Sequence, residues 1–260
     1  VGVREALAAM LTSDAESALL REDPGRLRHR YDLTEAELAM LAGAGTTGYR
    51  VSRVQLMREL RQALSTCLPG TVGELIGGHR VMWEEFLGRM VRRPQPAAQP
   101  PGMWEAERLV AWLAVHATPP LADFARYELT RAKLLHDPEA VTAARESATR
   151  EKPQNGHWWT LGLLRLSPAA WVAVFDHDVT AGGPVEGLLA VRTQVLVQRR
   201  WDRPALRAYR ISESTARLLA RCDGTCDADG VIAALGGDRV QARGVIGMLA
   251  GAGVLLLDHP

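Results

Sequence analysis

Apolar residues recur along the first half of this chain every three or four positions, and the period changes past its middle. Leu7, Met10 and Leu11 share one helical face, as do Leu38 and Leu41. Asp23-Pro24 marks a break, and Thr34 with Glu37 three residues on forms a capping box ahead of Leu38. Gly43, Gly45 and Gly48 then read as a flexible joint. From Tyr49 the pattern strengthens: Val51, Val54, Met57, Leu60, Leu64 and Cys67 make one stripe on a helix of about 25 Å. Leu68-Pro69-Gly70 stops that helix, and Thr71 with Glu74 reads as a second capping box. Leu75, Ile76, Val81, Met82, Phe86 and Leu87 continue as apolar helix. The run Arg93 to Pro101, with four prolines in nine residues, cannot be helical and is expected as an exposed loop. Trp104–His116 and Pro120–His136 are two more expected helices, the second with prolines in its first turn.

Residues 137–156 are polar, end in Pro153-Gln154-Asn155-Gly156, and read as a linker. Beyond them the spacing is that of strands. Trp171–Phe175 and Leu188–Val197 are the expected strands, separated by turn material around Gly182-Gly183. Ser212 is placed to cap a helix through Leu218 and Leu219. Short helices over about Ala228–Leu235 and Val240–Ala250 precede a last strand, Gly253–Leu257. The expected fold is α+β: a short helical segment (1–48), a helical bundle (49–136), a linker (137–156) and a smaller mixed, winged-helix-like domain (157–260).

The charge balance of 31 basic and 30 acidic residues, net +1, provides no global field toward nucleic acid or an anionic membrane. Lys133 and Lys152 are the only lysines, so the basic residues are almost all arginine. Arg50, Arg53, Arg58 and Arg61 flank the long stripe and read as its solvated side before they read as a docking face for an acidic partner. Three cysteines, Cys67, Cys222 and Cys226, leave at least one unpaired, which argues against a secreted disulfide framework. No apolar run reaches the ~18–20 residues that span a bilayer, and a cytoplasmic protein is expected.

Catalytic chemistry has few candidates. The seven histidines are scattered, and none forms an H-x-x-x-H or H-E-x-x-H pair. Asp176-His177-Asp178 is the one ligand-like cluster. On a strand Asp176 and Asp178 would share a face, while the adjacent glycines favour a turn. No phosphate loop, nucleophile elbow or paired-carboxylate motif is present, so no catalytic residue and no metal ligand is assigned.

Three short motifs carry a resemblance: Leu68-Pro69-Gly70-Thr71, Ile76-Gly77-Gly78, and Asp123-Phe124-Ala125-Arg126-Tyr127-Glu128. With the Leu189-Ala190-Val191-Arg192 strand and the helix at Leu218-Leu219-Ala220, they resemble partner subunits of multinuclear non-haem iron-dependent oxidative enzymes in ribosomal-peptide (RiPP) biosynthesis, the methanobactin-type partner among them. The resemblance covers about Tyr49–Leu235; the segment before Gly48 differs from such partners. Ser214–Gly224, Val231–Leu235 and Val245–Leu257 are in addition similar to the helical part of winged-helix leader-peptide recognition domains.

The resemblance implies a non-catalytic subunit that binds a ribosomal precursor peptide and presents it to the iron enzyme in a heterodimer. The iron would belong to the partner, with no cofactor in this chain. Strand addition would engage Leu188, Leu189, Val191, Arg192, Val195 and Val197. Asp123, Arg126, Tyr127 and Glu128 would form the partner or domain contact. Winged helices also bind DNA, which makes a transcriptional regulator the alternative. Arg239 and Arg243 are the only basic residues between Asp227 and Pro260, too few for an Arg- or Lys-lined reading helix, so nucleic acid is not the expected partner. A metal or hydrolytic enzyme using Asp176, His177 and Asp178 is the third option.

Overall fold

In the computed structural model residues 2–90, 100–149, 162–200, 205–236 and 238–258 are described. The chain is α+β: helices come first, and a small antiparallel set of strands follows with further helices. It divides into two compact units, Val1–Trp112 and Leu113–Pro260.

The first unit is helical. Helices α1 (Val3–Thr12), α2 (Asp14–Glu22), α3 (Pro24–Tyr31) and α4 (Glu35–Gly43) are short, and the last three are capped by side chains. Ser13 and Asp23 accept from the N–H groups of Glu16 and Arg26, and the Thr34–Glu37 capping box forms in both directions. Such caps matter in helices this short, because nucleation costs more than a few turns return. Their apolar faces meet in a core of Ala6, Met10, Leu20, Leu27, Leu33, Leu41 and Tyr49. The Tyr49 hydroxyl donates to the Leu41 carbonyl at 2.7 Å, which satisfies its polar tip inside that core. At its margin the Glu16 carboxylate receives Arg30 and the Tyr31 hydroxyl.

Ala44 alone separates α4 from α5 (Gly45–Cys67), so the expected glycine joint is a one-residue turn. Gly45 takes φ +63, and Gly48 lies inside α5. The long stripe is buried only in its later half: Leu60, Leu64 and Cys67 are buried, whereas Val51 and Val54 are exposed. Pro69 occupies the first turn of α6 (Pro69–Gly77), which puts Thr71 inside the helix. The second capping box therefore does not form, because a proline with pre-set φ starts the helix two residues earlier. Helix α7 (Arg80–Arg89) follows after Gly78-His79, and Trp83 stacks on Phe86 within it. The expected proline-rich loop lies, up to Gln99, outside the described residues. Helix α8 (Met103–His116) contains the division between the units.

The second unit is built on a three-stranded antiparallel sheet, in the order β2 (Ala170–Phe175), β3 (Thr193–Arg199), β4 (Leu206–Ile211). One face of the sheet carries Ala170, Val172, Leu196 and Ile211. These pack with α11 (Glu213–Arg221), α12 (Ala228–Leu235) and α13 (Arg239–Gly251) through Leu218, Leu219, Val231, Ile232, Ile246 and Leu249. The other face buries Phe175, Val195 and Val197 on the side of α9 (Pro119–His136) and α10 (Pro138–Thr149). A separate pair, β1 (Leu163–Leu166) with β5 (Leu255–Asp258), closes the helical side. Its Arg165 and Asp258 are joined by an ion pair of 2.8 Å.

Two further expectations are corrected here. Residues 138–149, expected as linker, form α10, whose Ala140, Ala143 and Ala144 are buried, the last two against Ala169; the 150–156 part lies outside the described residues. Small residues at helical spacing allow that close approach, which composition alone reads as polar linker. Helix α9 in turn belongs with the sheet and not with a bundle ending at 136, because the chain divides at Trp112/Leu113.

Candidate functional site

Helix α9 opens on Pro119-Pro120 and turns Asp123, Tyr127, Thr130 and Leu134 into the protein, a stripe at helical spacing. Asp123 is the polar member of that stripe and the centre of a clamp on the end of β2. Its Oδ2 accepts from the backbone N–H of Asp176 (2.8 Å) and of His177 (3.1 Å), and lies 2.9 Å from His177 Nδ1. A carboxylate only accepts, so Nδ1 is the protonated ring nitrogen. Oδ1 accepts from Arg126 Nη2 at 2.9 Å, and that nitrogen also donates to the Val174 carbonyl at 2.7 Å. The Arg126 guanidinium sits 4.8 Å over the Phe175 ring, and Tyr127 meets the same ring edge-on at 5.9 Å. Arg131 covers the Tyr127 ring at 5.4 Å, and burial pushes the Tyr127 phenol above its ordinary range.

The residues expected at a partner interface thus act inside the chain. Asp123, Tyr127 and Glu128 are all buried, and a buried side chain has no surface to offer a second protein. Arg126 keeps half of its side chain in solvent while its Nη2 donates to Asp123 and Val174. Asp123 and Arg126, three residues apart on one helix, form an ion pair at 2.9 Å.

Asp176, His177 and Asp178 do not converge, because β2 ends at Phe175. His177 turns to Asp123. Asp178 closes the following turn on the Thr180 N–H and hydroxyl, and accepts from Arg210 Nη1 at 2.9 Å. Among the described residues, no three His, Cys, Asp or Glu side chains gather as a metal site. Cys222 and Cys226 belong to a turn whose carbonyls accept from Leu166 and Leu164 of β1. Burial raises the Cys222 thiol to about 12 and the Cys67 thiol to about 11.

The expected peptide-binding strand is shorter and differently placed. Leu188–Arg192 is not strand: the Leu189 carbonyl accepts from the N–H groups of Asp178 and Val191, which curls the segment. Leu188 is buried there, while Leu189, Val191 and Arg192 are exposed. Val195 and Val197 are fully buried in β3, which is the central strand and is paired on both sides. Neither residue can receive an added strand, since their backbone groups are already committed to the sheet.

The sheet edges are β2 and β4, and they differ. Arg199 N donates to Ala169 O and Arg200 N to Ala205 O, which fixes the alternation of both ladders. Residues 170, 172 and 174 of β2 then point their backbone groups outward, as do 206, 208 and 210 of β4. On β2 the outward N–H of Ala170 is taken by Ser167 O, and the Val174 carbonyl by Arg126. On β4 the outward groups of Leu206, Ala208 and Arg210 meet no partner among the described residues. Arg207, Tyr209 and Arg210 are exposed along that edge. Sequence reasoning missed β4: Leu206-Arg207-Ala208-Tyr209-Arg210-Ile211 has no apolar alternation, and its one signal is Pro204 just ahead as turn punctuation.

Next to β4, at the Arg199–Arg207 end of the sheet, a groove of about 310 Å³ is lined by Ser147, Gln198, Arg200, Arg207 and the Gly251–Gly253 backbone. A second groove of about 330 Å³ lies among α11, α12 and α13, with Leu218, Leu235, Ala242 and Val245 in its wall. On the α12–α13 surface Arg243 is paired with Asp229 at 2.7 Å. No helix among the described residues is long and apolar enough to cross a membrane.

No protein-family model matches this sequence, and no curated protein is similar enough to count as a match.

Proposed function

We propose that this chain is a non-catalytic partner subunit that binds the leader of a ribosomal precursor peptide as an added strand and presents the peptide to an iron-dependent oxidative enzyme. The iron belongs to that enzyme, and the two proteins form a heterodimer. The observation that supports the reading is a difference between the sheet edges: on β2 the outward Ala170 N–H and Val174 carbonyl are taken by Ser167 and Arg126, whereas on β4 none of the outward groups of Leu206, Ala208 and Arg210 has a partner among the described residues. An open edge in a sheet braced on both faces offers backbone hydrogen bonds to an extended peptide with little sequence demand. The motif resemblance supplies the class of peptide and of enzyme. The leader site accordingly moves from the Leu188–Val197 segment to Leu206, Ala208 and Arg210.

Proline at Ala208 tests it. The Ala208 N–H points away from β3, so Ala208→Pro removes an outward donor and leaves the ladder intact. The variant is expected to keep the circular dichroism of the parent and to lose precursor-peptide binding. Unchanged peptide affinity in a folded Ala208→Pro protein refutes strand addition at β4.

A further inference from the structure

The edge of β4 is complementary to itself. We infer that two copies of this chain pair through β4, antiparallel and in one register, about a two-fold axis at Ala208.

In an antiparallel pair the residues whose N–H and C=O groups point at the neighbouring strand meet one another, and each couple exchanges two hydrogen bonds. The outward residues of β4 are Leu206, Ala208 and Arg210, and a two-fold axis allows few alignments of them. With the axis at Ala208, that residue meets its own copy and Leu206 meets Arg210, so every outward group is used. With the axis at Arg207, Arg210 is left over and two Arg207 side chains stand directly opposed, which is destabilising. With the axis at Tyr209, Leu206 is left over, because its counterpart would be Ser212, the cap of α11. An axis nearer either end of the strand pairs fewer residues still.

The side chains fit the same register. Arg207 and Tyr209 share the sheet face of Gln198 and Leu196, with which they pair inside the chain. Across the axis each Arg207 stands opposite Tyr209 of the other copy, as a non-hydrogen-bonded pair with Cα atoms about 4.5 Å apart. The Arg207 head already reaches the hydroxyl of its own Tyr209 at 3.4 Å, two residues along the strand, and a ring directly opposite is no farther. A guanidinium over a tyrosine ring is attractive. On the other face Arg210 stands opposite Leu206, and its charge is met within its own chain by Asp178 at 2.9 Å. Arginine on a strand edge ordinarily discourages self-pairing. Here it disfavours the register centred on Arg207 and leaves the one centred on Ala208 without opposed charges.

The pairing stands on the edge alone, apart from the peptide reading. It uses the groups that strand addition would use, so one β4 serves a copy or a peptide and not both.

Sedimentation equilibrium of the full chain tests the inference. The parent is expected to rise with concentration from the monomer toward twice its mass. Residue 208 meets its own copy, so Ala208→Glu and Ala208→Lys should each weaken the dimer about fivefold by opposing like charges. Mixed one to one, the two variants should associate at least as tightly as the parent. Ala208→Pro, which removes an outward N–H, should sediment as a monomer at every concentration. Where the charged variants lose the circular dichroism of the parent, Ala208→Pro decides: a folded proline variant that dimerises like the parent overturns the inference. So does a parent that stays monomeric up to about 0.5 mM. A mixture of folded glutamate and lysine variants that associates no better than either alone overturns it as well.

Discussion

The Asp123 carboxylate and the His177 imidazole, 54 residues apart in sequence, meet at 2.9 Å, and the same oxygen holds the His177 backbone N–H. That double hold ties the first turns of α9 to the end of β2. It fixes the sheet against a helix at the strand whose edge must stay closed. The Asp123 side chain and His177 are both buried, so the bonds between them form where water cannot substitute for them.

Asp123→Ala is expected to destabilise the protein by about 3 kcal/mol, since it strands two backbone donors, the His177 ring N–H and a guanidinium donor. Asp123→Asn keeps the shape and an acceptor and should cost roughly half of that. Urea unfolding followed by circular dichroism measures both; an alanine variant within 0.5 kcal/mol of the parent would show the clamp to be idle.

Arg126 joins three groups: Asp123, the Val174 carbonyl and the Phe175 ring. Arg126→Ala should lose about 1.5 kcal/mol and, by uncovering the outer edge of β2, promote self-association through that edge. Lysine should restore little, because an ammonium cannot serve a carboxylate, a carbonyl and a ring face from one planar head. Sedimentation velocity at increasing protein concentration separates the variants. A strictly unchanged sedimentation profile for Arg126→Ala contradicts the edge-closing role.

The thiols set a pH limit. Burial raises Cys67 to about 11 and Cys222 to about 12 from an ordinary 9.0, and it raises Tyr49 and Tyr127 as well. A raised acid pKa means that the unfolded chain releases its protons first. Stability is therefore whole below about pH 9 and falls as pH rises through the folded values near 11. Denaturant midpoints at pH 8 and pH 10.5 should show the loss. With a thiol-specific dye at pH 8, the folded protein should react at exposed Cys226 alone, and Cys226→Ser should be silent until denatured.

Gly253 takes φ +76, and a Cβ there would run into the Ser147 side chain of α10. Gly253→Ala should cost about 2 kcal/mol, from a left-handed backbone and a collision together. Ser147→Gly added to it should return only the collision part. Full recovery in the double variant would mean that the backbone conformation carries no cost.

The sequence made some of this legible for definite reasons. Trp171–Phe175 shows as a strand because turn residues bound a short apolar run, and α11 because Ser212 caps it and accepts from Thr215 N at 3.1 Å. The Thr34–Glu37 box and helices α12 and α13 are equally local signals. Leu188–Val197 misleads because its apolar content continues unbroken, while the bond from Asp178 N to Leu189 O, a tertiary choice, bends its first half out of the sheet. Strand β4 was not legible, since an open edge with arginine on both faces has no alternation to detect. The importance of Asp123 was legible as a motif, yet its partner was not: nothing local points from Asp123 to His177.

Copurification tests the central claim most directly. The chain is co-expressed with a candidate iron-dependent oxidative enzyme and a candidate precursor peptide, the two partners that the proposal requires, and all three are followed through affinity and size-exclusion steps. The account predicts a stable complex that retains the peptide, and the same heterodimer without the peptide when Ala208→Pro is introduced. A chain that elutes alone, binding neither the enzyme nor the precursor, contradicts it.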